Sequence, residues 1–284
     1  MIDTPIADRR VPLVEVPNCA ANPPMLPMAH DRRPLPVPRN HTPMQNRLLA
    51  AMRSNDLEQL RTHLKLVSLP LGKVLYEERN PPRYVYFPTT SIVSKLCRAA
   101  NGASAEVAVV GNDGVIGIAT IMGGKSVAPM AVVQSAGYAY QMTAERFRQE
   151  FERGTPFQIP ILRYAQALIT QMAQTAACNR HHSLDQQLCR WLLLSLDCLS
   201  SNEIAMTQEL IATHHGVRRE SVAVAAGKLQ RAGLIQYGRG HISVLDRTAL
   251  EARACECYAV VKKEYERLVP RRMGADLESG VVDK

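Results

Sequence analysis

The sequence predicts an α+β chain: a roll of short strands, one long helix, and a compact C-terminal domain of two helices closed by a β-hairpin. Three observations predict it. Between Lys65 and Met142, short β-prone runs recur at near-regular spacing, broken by Gly and Pro, which is the pattern of a sandwich or jelly roll. From Ile161 onward, apolar positions fall at alternating steps of four and three, the period of a helix with one continuous seam. From Met206 to Leu245, two helical periods separated by Gly216 lead into two strands around Gly238-Arg239-Gly240, a hairpin signal.

Length and charge narrow the class without choosing a task. The 284 residues leave room for two domains and a tail at ~150 residues per domain. No apolar run approaches the ~20 residues a membrane helix needs, and the N-terminus lacks the continuous apolar core of a secretory signal. A cytoplasmic chain with no membrane partner is therefore expected. The net charge of +8 suits a polyanionic partner, but the basic residues are spread along the chain, so charge alone does not identify nucleic acid. Seven cysteines, Cys19, Cys97, Cys178, Cys189, Cys198, Cys255 and Cys257, are odd in number and scattered, which reads as reduced thiols. Cys255-Glu256-Cys257 is spaced too closely for an ordinary zinc finger and no second pair follows. Buried thiols are the expectation there, with no metal ligand set and no cofactor.

Taken in order, residues 1–43 carry ten of the eighteen prolines and cannot form helix or sheet interior, so a disordered or extended tail is expected. Arg9-Arg10 and Arg32-Arg33 within it are read as solvated. The composition changes sharply at Met44, a position where translation could itself begin. Asn46 to Leu64 reads as helical, with a new cap at Ser54-Asn55-Asp56. The strands follow: Val67 to Leu71, Lys73 to Glu77, Tyr84 to Pro88, Ile92 to Cys97, Ala105 to Val110, Met130 to Gln134 and Tyr138 to Met142. Thr143 caps a short helix to Glu152. The boundaries expected from these signals are a roll over 44–155, a long helix and hinge over 156–182, a C-terminal domain over 183–269 and a loose tail over 270–284.

The long helix carries Ile161, Ala165, Leu168, Met172, Thr175 and Asn179 at heptad steps. This is the seam of a two-stranded coiled coil, with Asn179 as a polar register-setting position. Asn179-Arg180-His181-His182 breaks the pattern, and Ser183 with Gln186 caps a new helix. That break is a natural hinge. After the hairpin, Asp246 or Thr248 caps one last helix to about Leu268, with Leu250, Ala254, Cys257, Tyr258, Val261 and Tyr265 as its apolar stripe.

The segment from Met206 to Leu245 has the most specific spacing. Thr207 is an N-cap ahead of Gln208 to His214, small Ala212 suits a helix crossing, and Gly216 stands where a positive φ is needed. Ile211, Val217, Val222 and Ala225 are read as inward-facing, while His215 takes a place that more often holds an aliphatic residue. The second helix runs from Arg218 until Gly233 stops it. This is a helix-turn-helix followed by a wing, which puts its second helix into a DNA major groove.

The order of parts resembles the catabolite-activator (Crp/Fnr) family of bacterial transcription regulators, from about Leu48 to Leu268 and most specifically over Met206 to Val244. The resemblance implies a cyclic-nucleotide-binding-like β-roll as sensor, a dimerisation helix and a winged helix-turn-helix. It implies that Arg219 and Glu220 in Val217-Arg218-Arg219-Glu220-Ser221-Val222 read bases, and that Thr207 contacts a phosphate. Independently, an arginine fork fits the two major-groove acceptors of guanine and a glutamate accepts from the amino group of cytosine. Arg218 and Ser221 lie beside them, and Val224, where the family often has a third arginine, suits a thymine methyl. Lys228, Arg231 and Arg239 are phosphate candidates, which position without specifying.

The sensor half departs from the family. Its pockets carry Gly-Glu-x-Gly and then Arg-Ser; here the turn is Gly114-Val115-Ile116-Gly117, and the following loop offers only Lys125 and Ser126. A point-charge lysine is a poorer phosphate partner than an arginine fork. Loss of cyclic-nucleotide binding is therefore expected. The family's oxygen-sensing cysteine cluster is missing, and His30 and His41 sit in the tail, so haem is not expected.

The expected function is a homodimeric regulator on an inverted-repeat operator, with double-stranded DNA and RNA polymerase as partners. The alternative is the same regulator gated by a cyclic nucleotide or other small ligand. No catalytic constellation is present: His181-His182 and His214-His215 are adjacent pairs whose side chains diverge on a helix, and no nucleophile elbow or phosphate loop occurs.

Overall fold

The computed structural model describes residues 41–270 apart from residues 78–79, 101, 124–128, 155–156, 200 and 239. The expectations for the proline-rich tail through residue 40, for the C-terminal tail beyond residue 270, and for Lys125, Ser126 and Arg239 lie outside the described residues. The fold begins ahead of the break expected at Met44. Pro43 is buried, and His41 Nε2 lies 2.6 Å from Thr89 Oγ1 with its ring edge-on to Tyr138 at 5.2 Å.

The first helical stretch is two short helices, α1 (Arg47–Ala50) and α2 (Ser54–Arg61). Asn46 caps α1 by accepting from the Leu48 and Leu49 amides, at 3.1 and 3.3 Å. Its amide donates to the carbonyls of Pro88 and Gly114, both at 2.9 Å. One fully buried side chain thus satisfies a helix end and two turns of the roll.

Among the described residues, seven strands form the roll: β1 (Lys65–Leu69), β2 (Val74–Tyr76), β3 (Tyr84–Pro88), β4 (Ile92–Arg98), β5 (Ser104–Val110), β6 (Met130–Ser135) and β7 (Gly137–Thr143). They pair antiparallel in two sheets, β1-β7-β3 and β2-β6-β4-β5. Leu69, Val85, Phe87, Ile92, Val93, Val133 and Ala139 are fully buried between them, the dominant stabilising term for such a sandwich. Thr143 caps α3 (Ala144–Glu152) through the Arg146 amide, 3.3 Å, as the sequence suggested.

The long helix is α4 (Gln158–His181), and after an extended His182 the capping box of Ser183 and Gln186 opens α5 (Leu184–Asp197). The helix break therefore lies where the periodicity broke. The seam does not face where the sequence placed it. Ile161, Leu168 and Thr175 are buried within the chain, Ala165 and Met172 are partly covered, and only Asn179 is exposed. The reason is the last segment. The single final helix expected from Asp246 is instead α8 (Arg247–Arg253) and α9 (Glu256–Leu268), separated by an extended Ala254. The break lets α9 turn back along α4, where Tyr265 meets Tyr164 edge-on at 6.4 Å. What α4 leaves to solvent is the adjacent stripe, Leu162, Gln166, Ile169, Ala173, Ala176 and Arg180. Its steps also alternate between four and three, with Leu162 and Ile169 each about half exposed.

The remaining elements are β8 (Glu203–Ala205), α6 (Gln208–His215), α7 (Arg219–Arg231), β9 (Ile235–Gly238) and β10 (His241–Val244). The strand β8 was not legible in the sequence; it pairs with β10 to make a three-stranded sheet in the order β8-β10-β9. No helix among the described residues is long and apolar enough to cross a membrane.

Candidate nucleic-acid interface

Local chemistry builds the head as the sequence suggested. Thr207 Oγ accepts from the Leu210 amide at 3.3 Å, which starts α6. Gly216 takes φ +64° and a Cβ there would stand 3.3 Å from the Ser104 carbonyl oxygen, so the turn needs glycine both for its backbone and for its neighbour. Buried Ile211, Ala212, Val222, Ala225, Ala226 and Leu229 hold α6 and α7 together. Val217, expected inward, instead stands at the surface in the turn. The wing is tied to α7 by Gln230 Oε1, which accepts from the Tyr237 amide at 2.9 Å.

The candidate base-reading residues sit together on the open face of α7. Arg218 is the N-cap residue with extended backbone, and Arg219, Glu220 and Ser221 form the first turn, all exposed. Val224 is 59 % exposed one turn on. The packed face of the same helix, Val222, Ala225 and Ala226, points the other way. Thr207 and Arg231 are also exposed. Lys228 differs: its Nζ lies 3.1 Å from Asp185 on α5, so this phosphate candidate already holds a partner in its own chain.

The head is anchored on the roll by α6. The Ser104 hydroxyl donates to the Thr213 carbonyl at 3.3 Å, and His214 Nδ1 lies 3.0 Å from Glu106 Oε2 in a buried contact. The two histidines pack edge-on to Trp191, with ring centroids at 6.4 Å for His214 and 6.0 Å for His215. Burial pushes His215 down to about 4, and its Nε2 is enclosed without a hydrogen-bond partner. These are packing residues at the junction, and the sequence marked only His215, as a histidine in a place that more often holds an aliphatic residue. Nothing local revealed their partner Glu106, more than a hundred residues earlier.

The turn that would carry a cyclic-nucleotide pocket is consumed by the fold. Val115 and Ile116 are buried, and Ile116 pairs with Tyr86 in a short bridge. A Cβ on Gly114 would stand 2.5 Å from the ring of Tyr164, and Gly117 adopts φ +97° against Val85. Both glycines thus let α4 and β3 approach closely, and no carboxylate stands among the four residues of this turn.

These parts define a β-roll, a long connecting helix and a winged helix-turn-helix head. Residues 186–253 match the Crp-like helix-turn-helix domain, and the fold of the described residues is similar to that of solved Crp/Fnr-family transcriptional regulators. The structure is similar to a putative Crp/Fnr-family transcriptional regulator from Eubacterium rectale, at 16 % identity and TM-score 0.56, covering 72 % of this chain and 96 % of that one. It is similar to FixK2 from Bradyrhizobium japonicum, again at 16 % identity and TM-score 0.56, covering 68 % and 98 %. It is also similar to the CRP-family regulator TTHB099 from Thermus thermophilus, at 20 % identity and TM-score 0.53, covering 67 % and 96 %. Comparison with curated protein sequences finds no match.

Proposed function

We propose that this chain is a sequence-specific regulator that binds an inverted-repeat operator as a homodimer and is not gated by cyclic AMP. The observation that carries this reading is the exposed first turn of α7, where Arg218, Arg219, Glu220 and Ser221 stand clear of the fold on a rigid two-helix support. Arg219 pairs with guanine and Glu220 with a cytosine amino group, while Thr207, Arg231 and Arg239 meet phosphates. Val224 lies against a thymine methyl.

The second copy packs on the solvent stripe of α4, through Leu162, Ile169, Ala173 and Ala176. Heptad spacing of apolar and small residues on the open face of this helix supports that choice. Two heads then meet successive major grooves about one turn apart, ~34 Å. Transcription is set through contact with RNA polymerase. The enclosed Gly114–Gly117 turn supports the absence of cyclic-nucleotide gating, and the Glu106–His214 contact is a route by which a change in the roll reaches α6. A non-enzymatic role in the cytoplasm belongs to the same reading.

Selection of bound sequences from a random duplex library tests the reading. An enriched inverted repeat, lost with Arg219→Ala, is the expected result; equal binding to enriched and scrambled duplexes overturns it. Sedimentation of Leu162→Glu beside the unsubstituted chain tests the stripe, because a buried unpaired carboxylate there splits the dimer.

A further inference from the structure

Four potential metal ligands that are far apart in sequence converge at the hinge. Cys178 lies in the last turn of α4, His182 is the residue that ends it, and Cys255 and Cys257 flank the start of α9. Their ligand atoms, three Sγ and one imidazole nitrogen, all lie within 4.8 Å of one another. The Cys178 and Cys255 sulfurs are 3.5 Å apart, and Cys257 Sγ lies 3.6 Å from His182 Nδ1. Tetrahedral zinc, with Zn–S of about 2.3 Å and Zn–N of about 2.0–2.1 Å, sets S···S near 3.8 Å and S···N near 3.6 Å. The three cysteines are buried and pack against one another as a small group apart from the main core.

The surroundings suit a metal rather than three idle thiols. His182 turns Nδ1 toward the sulfurs, while its Nε2 lies 3.2 Å from the Glu256 carboxylate. A carboxylate on the far nitrogen fixes the ring and raises its basicity, as at histidine ligands of zinc. Gln187 holds the backbone of the same turn, donating to the carbonyls of Cys178 and His182 at 3.4 and 2.9 Å. Three thiolates and a neutral imidazole around a divalent ion carry one net negative charge.

We propose that Cys178, His182, Cys255 and Cys257 form a closed Cys3His site for a zinc-class divalent ion, which clamps the end of α4 to the start of α9. On binding, the ion displaces three thiol protons to solvent and no electron is transferred. With four protein ligands the site is structural and has no open position. It fixes the hinge ahead of α5, whose buried Arg190 donates to Thr175 Oγ1 on α4 at 3.0 Å.

The test uses the full, untagged chain under reducing conditions. Elemental analysis is expected to give one zinc per chain, and cobalt(II) titration to give one equivalent of tetrahedral visible bands with thiolate charge transfer. Cys178→Ser and Cys257→Ser are expected to abolish the bands, Cys189→Ser to retain them, and Glu256→Gln to weaken metal affinity by about tenfold to a hundredfold. Circular dichroism checks that each variant is folded. Folded, unsubstituted chain that gives no cobalt bands overturns the proposal. So do bands that survive Cys257→Ser, a multinuclear iron–sulfur centre, or a Cys178–Cys255 disulfide in the freshly isolated chain.

Discussion

The first turn of α7 and the Gly114–Gly117 turn are the two short segments where the family resemblance would put ligand contact. They behave oppositely. On α7, Arg219, Glu220, Ser221 and Val224 stay exposed, while Val222, Ala225 and Ala226 carry the packing from the other side of the same helix. At the Gly114 turn, Val115, Ile116 and the approach of Tyr164 leave no side chain uncommitted. A helix separates its two jobs by face, whereas a tight turn has no second face to spare. The difference teaches that ligand competence lies in what packing leaves over, not in the motif.

The largest expected effect is on the packed side. Tyr164→Ala removes a fully buried ring beside Gly114 and Tyr265 and is expected to cost about 3–5 kcal/mol, the range for large buried aromatics. Denaturant unfolding measures it, and a loss below ~1 kcal/mol would break the contrast. Gly114→Val attacks the same contact from the other side and is expected to cost ~1–3 kcal/mol by overpacking.

On the open side, Arg219→Ala should weaken operator binding by ~1–3 kcal/mol and relax one base position, with the melting temperature unchanged because the side chain is exposed, away from the packed face of α7. A fall in melting temperature would show that α7 is not free. Acid sharpens the junction between the two regions. Burial holds the His215 ring neutral in the fold, whereas an unfolded chain takes up a proton below about 6.5. Its contribution to stability is therefore complete above pH 6.5 and is lost as pH falls toward 4. Thermal melts across that window should fall more steeply for the unsubstituted chain than for His215→Leu. The smallest effect is expected at Lys228→Ala, where the half-exposed pair with Asp185 contributes at most ~1 kcal/mol.

Much of the fold was legible because its signals are local. Strand runs punctuated by Gly and Pro, the caps at Thr143, Ser183 and Thr207, and the glycine at residue 216 each act within a few residues, and the structure places them where the spacing did. The seam on α4 was misplaced because two adjacent stripes of one helix share the same alternation of steps. Periodicity cannot say which is covered from within the chain. The last helix was read as continuous because Ala254 and Cys255 do not forbid helix; the turn-back of α9 onto α4 breaks it.

The sequence by itself determined the parts and their order, together with the chemistry of the α7 head, since caps, periods and exposed residue types depend on near neighbours. Only the tertiary structure decided which face of α4 remains open, that Glu106 meets His214, and that Cys178 and His182 join Cys255 and Cys257. Those pairings cross more than seventy residues of chain, and local preference cannot specify a contact whose partner arrives only when the chain folds back on itself.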